Sequence, residues 1–391
     1  MSARWGILAL LFGMRAVMAF QFQAVAALSP LMMDHFAVGL AETGLILGLY
    51  LAPGMIVALP GGALGQRFGD KEVVTAGLGL MVLGGVMMAL GQGWALHLAG
   101  RLVAGAGGVL LNVLMTKMVV DWFRDREIST AMAIFVNSWP VGIALALVTL
   151  PPFAAGAGYG GAMWLVAGVT AAAFILFPLA YRAPEGVAAA ARRAWPAGRV
   201  MTAVIAAGAV WGFYNTAFAM VFGFGPAVLS EQGWSLAEAG AATSLVLWAM
   251  ALGVPLGGLI ADRTGQAGAV MLAGFLGFAV TLWLAGTGAA GAPLFAAMGF
   301  LAGLPAGPVM ALPGRILAPA TAATGMGIFF AVYYVLMLAV PWAVGEAAER
   351  AGTARLAFDA GVLMLVLTLL SFLVYGRAAR TVRMPEPEGQ T

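Results

Sequence analysis

Twelve transmembrane helices arranged as two duplicated six-helix halves, an all-α membrane protein, is the architecture this sequence dictates, on three grounds. Hydrophobic residues make up 62% of the chain and charged residues only 9%, where a soluble domain carries roughly 25% charged residues. Twelve apolar runs of spanning length fit within the 391 residues. The chain also repeats itself at one fixed offset.

The crossings follow in order. Runs at 5–29, 41–64, 72–91, 95–119, 127–149 and 160–181 make the first six, and runs at 200–228, 237–260, 267–287, 292–317, 323–345 and 356–376 the second six. Each approaches the ~20 apolar residues a helix needs to cross the hydrocarbon core. None alternates at every second residue, as barrel strands do. The 55 glycines and 19 prolines suit a membrane bundle, where small residues allow close approach and neighbouring helices satisfy freed backbone groups. A polar stretch at 182–199 reads as a cytoplasmic linker between an N-terminal half, 1–181, and a C-terminal half, 200–378, with a cytoplasmic tail at 379–391.

Alternate loops sort by charge. Arg4, Arg67, Lys71, Arg124, Arg126, Arg182, Arg192, Arg193, Arg199, Arg263, Arg377, Arg380 and Arg383 fall on one side, whereas the other side offers Arg350 and Arg355. The positive-inside rule then places both termini in the cytoplasm, in agreement with an even number of crossings. The first apolar run is too long for a cleavable signal peptide and leads directly into further spans. The net charge of +3 is thus explained by topology, with the lipid bilayer and no nucleic acid as partner. Cysteine is absent and there are only two histidines, His35 and His97, so thiol nucleophiles, metal centres and cofactors are not expected. A membrane-embedded enzyme would lack a nucleophile or acid/base pair at depth, and no Walker-type loop is present to bind ATP.

A shift of 196 residues lays Gly39-Leu-Ala-Glu-Thr-Gly44 over Ser235-Leu-Ala-Glu-Ala-Gly240, Pro30 over Pro226, Gly61-Gly62 over Gly257-Gly258, Arg67 over Arg263 and Gly69 over Gly265. Duplicated halves around a midplane site are the plan of secondary transporters.

On these motifs the sequence resembles the major facilitator superfamily over essentially its whole length. The signature between the second and third helices stands as Gly62-Ala-Leu-Gly-Gln66-Arg67-Phe-Gly69-Asp70-Lys71, and its echo between the eighth and ninth as Gly258-Leu-Ile-Ala-Asp262-Arg263-Thr-Gly265. Gln66 departs from the family's usual Asp, which Asp262 keeps. The resemblance implies gating or coupling roles for Gly62, Arg67, Gly69, Arg126, Gly258, Asp262, Arg263 and Gly265. Arg101-Leu-Val-Ala-Gly105-Ala-Gly107 resembles the family's fourth-helix pattern; Arg101 is then either a coupling residue or an outer-interface Arg whose head snorkels to water. Trp139-Pro140-Val141-Gly142 matches the antiporter signature poorly, which weighs against drug efflux. Trp122-Phe123 and the run Asn137 to Gly142, with an Arg in the first helix, are similar to the bacterial cyanate-permease-like branch. That likeness implies a bacterial inner-membrane location.

Arg15 lies near the middle of the first helix, where a charge costs roughly 2.5–3.5 kcal/mol on insertion scales. Ala19, Phe22 and Ala26 share its helical face within about 40°, and Gln23 lies about 80° away. A guanidinium on a small and aromatic face suits bidentate recognition of an anion. The competing reading is a structural Arg bonded to helix carbonyls or to Gln21 and Gln23. No acidic residue lies at comparable depth, and the repeat places Trp211 opposite Arg15. Further mid-helix candidates are Asn112, Asn137, Ser138, Trp139, Tyr214, Asn215, Trp248, Tyr333 and Tyr334, each of which could equally serve helix packing. Lys117 and Arg315 read as interface anchors. The expected function is secondary active transport of a small, anionic solute by alternating access, by a monomer coupled to protons or to a counter-transported anion. The alternative is a proton-driven exporter of hydrophobic compounds, suggested by the aromatic and Met-rich interior.

Overall fold

The computed structural model describes residues 3–38, 40–91, 93–124, 127–184, 194–234, 236–288 and 291–380. Arg126, part of the linker and the tail from 381 lie outside the described residues.

The first crossing is α1 (Ala3–Ala27), followed by a short helix α2 (Ser29–Phe36). The second is broken into α3 (Leu40–Leu49) and α4 (Gly54–Phe68). The break falls at Pro53, which has no N–H to continue an α-helical ladder. Next come α5 (Asp70–Ala89), α6 (Trp94–Phe123) and α7 (Ile128–Ala180).

Helix α7 holds two crossings. Its 53 residues would run about 80 Å if straight, more than twice the hydrocarbon thickness. The chain turns at Gly158, whose φ of 69° and ψ of 178° are not helical. Tyr159 beside the turn meets His97 near the start of α6, 2.8 Å from hydroxyl to Nε2. Beyond it Ala167 packs at Gly85 and Phe174 at Gly79, so the second arm returns antiparallel to α5. The expected loop at 150–159 is therefore helical up to one glycine, because its apolar residues offer nothing polar to hold an irregular backbone in lipid.

The second set of crossings repeats the plan with α8 (Gly198–Glu231), α9 (Leu236–Thr264) and α10 (Ala267–Gly286). The tenth crossing is segmented into α11 (Ala292–Gly303), α12 (Ala306–Ala311) and a 3-10 turn at Pro313–Arg315, broken beside Pro305. Helices α13 (Pro319–Ala351) and α14 (Arg355–Ala379) complete it.

Ten described helices are individually long and apolar enough to span a bilayer. The second arm of α7 and the broken pair α3 and α4 bring the crossings to twelve, in an all-helical bundle. The positive φ at Gly69 (94°) and Gly265 (68°) forms the tight turns expected at the two repeated loops.

Cross contacts between the α1–α7 set and the α8–α14 set cluster from mid-depth to the face carrying Arg4, Gln66, Arg124 and Asp262. There α4 packs on α13 and α7 on α9 and α12. A Cβ on Gly62 would fall 2.0 Å from the Ala323 carbonyl oxygen, and one on Gly258 2.6 Å from that of Ser129. The repeated glycines thus serve as close inter-half contacts, and a larger residue at either would push the seam apart.

Candidate functional site

Above that seam, at mid-depth, lies a cavity of about 90 Å³. Of the residues expected to bind a solute, it brings together Arg15, Asn112, Trp139, Asn215, Tyr333 and Tyr334. Met18, Tyr50, Val136, Trp211 and Met250 also line it. No Asp, Glu or His is among its described lining residues.

Arg15 is 5% exposed. Its Nε donates to Asn112 Oδ1 at 3.2 Å, and its Nη1 donates to the carbonyls of Phe135 at 3.1 Å and Val136 at 3.0 Å. The Val136 carbonyl is available because Pro140, four residues on, has no N–H to complete the helical bond. Gly142 lets α1 come close enough, since a Cβ there would sit 2.2 Å from the Ala16 carbonyl oxygen. The run Trp139-Pro140-Val141-Gly142 thus docks Arg15 onto α7, and the guanidinium lies over the Phe135 and Trp139 rings at 4.8 and 5.7 Å. Arg15 is thus bonded to backbone oxygens and to Asn112 rather than to Gln21 or Gln23, and it also lines the cavity. Its hydrogen bonds to described residues come from Nε and Nη1, so Nη2 has no bond to a described residue.

The amide of Asn112 continues the chain of contacts, donating from Nδ2 to the Tyr334 hydroxyl at 3.2 Å and so joining α6 to α13. Asn215 donates to its own helix at the Trp211 carbonyl, 2.7 Å away. Trp211 stands in the cavity wall, as its repeat relation to Arg15 implied.

Several expected ligands are elsewhere. Phe22 forms a layer behind the cavity, stacking on Trp139 and Tyr50 at 5.1 and 5.4 Å. Gln23 is half-buried and does not line the cavity. Asn137 braces α7 to α9 through the Ala251 carbonyl at 3.4 Å. Tyr214 is buried and donates to the Ala302 carbonyl, tying α8 to α11. Trp248 is 66% exposed and points out of the bundle, because its turn of α9 faces lipid rather than the seam. For Asn137, Tyr214 and Trp248, mid-helix depth was the signal, and depth does not tell which face of a helix turns inward.

Arg101 is 0% exposed, so it is not the interfacial residue that one reading made it. Its Nε, Nη1 and Nη2 donate to the carbonyls of Ile46, Gln21 and Phe22 at 3.1, 3.2 and 2.8 Å. Lys117 is likewise no interface anchor: it is buried between Asp70 and Asp121, with the latter 2.8 Å away.

On the seam, Asp262 accepts from the backbone N–H groups of Thr130 at 2.7 Å and Ser129 at 3.3 Å. These are the unsatisfied donors of the first turn of α7, where the helix dipole favours an anion. At the repeat position Gln66 instead donates to the Ala320 carbonyl at 2.7 Å, and its Oε1 is buried without a partner among the described residues. The departure from Asp therefore keeps an inter-half contact but removes its charge. Arg315 adds a bond to Ser129 Oγ at 3.2 Å, and Arg124 one to the Leu317 carbonyl at 2.7 Å. Arg67 and Arg263 are exposed.

Tyr50 is the main lining residue that sequence reasoning missed. Its place directly before the helix-breaking Leu-Ala-Pro53 was the available signal.

Comparison with known proteins bears on this arrangement. The chain is 28% identical over 166 residues to the inner membrane transport protein YajR of Escherichia coli, a match covering 42% of this chain and 35% of that one. The first curated relatives are matched over only about a third of their own length. The fold is similar to that of the transporter FucP in the outward conformation, with a TM-score of 0.77 at 14% identity, covering 98% of this chain and 100% of that one. It is also similar to the human organic anion transporter MFSD10, with a TM-score of 0.74 at 17% identity over 95% and 99% of the two chains. The sequence profile of the Major Facilitator Superfamily matches residues 11–227, more than half of the length, and the chain belongs to that superfamily of membrane transport proteins, not to an enzyme family.

Proposed function

We propose that this transporter moves a small anionic solute across the bacterial inner membrane by alternating access around Arg15. The observation that carries the reading is the guanidinium itself. It lines a cavity with no carboxylate among its described residues, and one of its terminal nitrogens has no bond to a described residue. A buried cation without a counterion is costly, and a bound anion offsets that cost.

The positive-inside rule assigns the basic face, and with it both termini, to the cytoplasm. The seam of Gly62, Gly258 and Asp262 then closes the cytoplasmic side, and the cavity belongs to an outward-facing state of a monomer. Energy coupling runs through the anion's own proton or through exchange of one anion for another, since no carboxylate or imidazole is among the described residues lining the site. The organic anion transporter MFSD10, which shares this fold, is compatible with such a cargo. Export of hydrophobic compounds is the alternative reading, supported by Met18, Met250, Trp139 and Trp211 in the cavity wall.

Proteoliposomes loaded with a mixture of small anions are expected to drive counterflow of a labelled anion, with the rate lost in Arg15→Ala. Undiminished counterflow in that variant would reject the assignment. Raised susceptibility of a deletion strain to lipophilic drugs would favour the exporter.

A further inference from the structure

Tyr50 presents a feature that helix packing does not explain. The residue is 1% exposed, yet its hydroxyl has no hydrogen-bond partner among the described residues, a state that is expensive for a buried polar group. The ring is firmly seated. The Arg101 guanidinium lies 4.6 Å from its centroid and the Phe22 ring meets it at 71°. Its backbone packs on Gly105, where a Cβ would fall 2.3 Å from the Tyr50 carbonyl oxygen, and its hydroxyl lies over Gly108, where a Cβ would be 2.7 Å away. The glycines that follow Arg101 in sequence are therefore the bed on which Tyr50 rests. A side chain held this rigidly, with its donor unspent, lines the same cavity as Arg15.

Several donors of that cavity have no acceptor among the described residues. Arg15 supplies Nη2, Tyr50 its hydroxyl, and Tyr334, which accepts from Asn112, still has its own hydrogen to give. Arg15 is also the only cation among the lining residues. One positive charge compensates one negative charge, and a second uncompensated charge would be strongly disfavoured in such a site. Beside Asn112, Asn215 and Tyr333, the wall presents the apolar Met18, Leu51, Val109, Val136 and Met250 and two indoles, and the space is small, about 90 Å³.

Building on the anion-transport reading above, we infer that the ligand is a small monocarboxylate with a short apolar body, its carboxylate shared between Arg15 and the Tyr50 hydroxyl. Arg101 is the positioning residue that fixes Tyr50.

Tryptophan fluorescence reports occupancy, because Trp139 and Trp211 line the site. The full chain in detergent is titrated with acetate, propionate and butyrate, and with propionamide, succinate, sulfate, nitrate and glucose. Propionate or butyrate is expected to bind at least tenfold more tightly than propionamide or succinate. In Tyr50→Phe, which keeps the ring and its Arg101 contact, the acid is expected to bind roughly tenfold more weakly, so the acid-to-amide preference shrinks. The melting temperature of the empty protein is expected not to fall, since the variant deletes a buried hydroxyl without a described partner. A variant that keeps the full acid preference overturns the role of Tyr50. Arg15-dependent binding of nitrate, sulfate or succinate without the monocarboxylates overturns the ligand class while leaving the anion reading intact. Binding of glucose with no anion bound overturns both.

Discussion

Two guanidiniums are buried in the same half of this protein, and they are spent differently. Arg101 commits all three of its nitrogens to main-chain carbonyls on α1 and α3. Arg15, which lines the cavity, commits Nε and Nη1 and has no bond from Nη2 to a described residue. Both lie against aromatic rings, and both are buried charges that are costly within the membrane. Burial and expense therefore do not distinguish a binding arginine from a structural one. The number of donors left over after the fold has been satisfied does.

The sharpest way to break this contrast is to remove each head group in turn. Arg101→Ala deletes three charge-assisted bonds and the support under Tyr50, and is expected to destabilise the protein by about 3 kcal/mol or more. The readout is loss of monodisperse protein on size exclusion and a lowered melting temperature. Arg15→Ala is expected to remain monodisperse, because the carbonyls it leaves can be solvated from the cavity, while anion uptake falls by at least about a hundredfold. If the stability losses were reversed, the division of labour between the two would be wrong.

Pro140→Ala probes how Arg15 is anchored. The new N–H at 140 can bond the Val136 carbonyl within α7 and withdraw it from Arg15. Weakened orientation of the guanidinium is expected to lower uptake roughly tenfold with no loss of folded protein, since alanine favours the helix. Arg15→Lys provides the complement. It keeps the charge but not the planar fork, and is expected to transport well below the wild type.

The split between what was readable beforehand and what was not follows the same logic. Twelve crossings, the repeat and a buried arginine at position 15 are properties of hydropathy, offset and depth, all of which a linear sequence carries. The two loops built on Gly69 and Gly265 were readable because the turn demands a residue free to take positive φ. Helical phase is harder to read, because membrane helices are apolar all round and have no polar face to mark the outside. Trp248, Tyr214 and Asn137 therefore fell on the wrong side, although each is a polar or amphipathic residue at mid-depth. Tyr50 escaped for a different reason: its significance is a missing partner, which only three-dimensional packing reveals.

A second contrast lies on the seam, where one position of the repeat carries a charge and its counterpart does not. Asp262 meets the first-turn N–H groups of α7, an interaction worth roughly 0.3–2 kcal/mol, whereas Gln66 donates one neutral bond to Ala320. Asp262→Asn is expected to shift the equilibrium away from the closed seam by a few-fold, read as increased labelling of a cysteine introduced beneath the cavity. Gln66→Ala is expected to move it less. Equal shifts from the two would mean that packing at Gly62 and Gly258, rather than charge, holds the seam.

The smallest effect is expected at the opposite face, where no seam contact is at stake. Glu231, beyond the apolar 198–225 stretch of α8, receives the Ala354 N–H at 2.7 Å and the Thr353 hydroxyl at 2.9 Å. These donors hold its carboxyl below the usual carboxylate range. They favour the ionised form, so the folded state gains stability once the pH exceeds the unfolded-state value. That gain disappears as the pH falls through the lowered folded-state value. Full exposure to solvent keeps the contribution slight, because water screens the interaction. Melting curves from about pH 7 down to pH 3 should show Glu231→Gln converging on the wild type at the acid end, with a small deficit at neutral pH. A deficit that persisted at acid pH would mean that the side chain acts by packing the start of α14 and not by its charge.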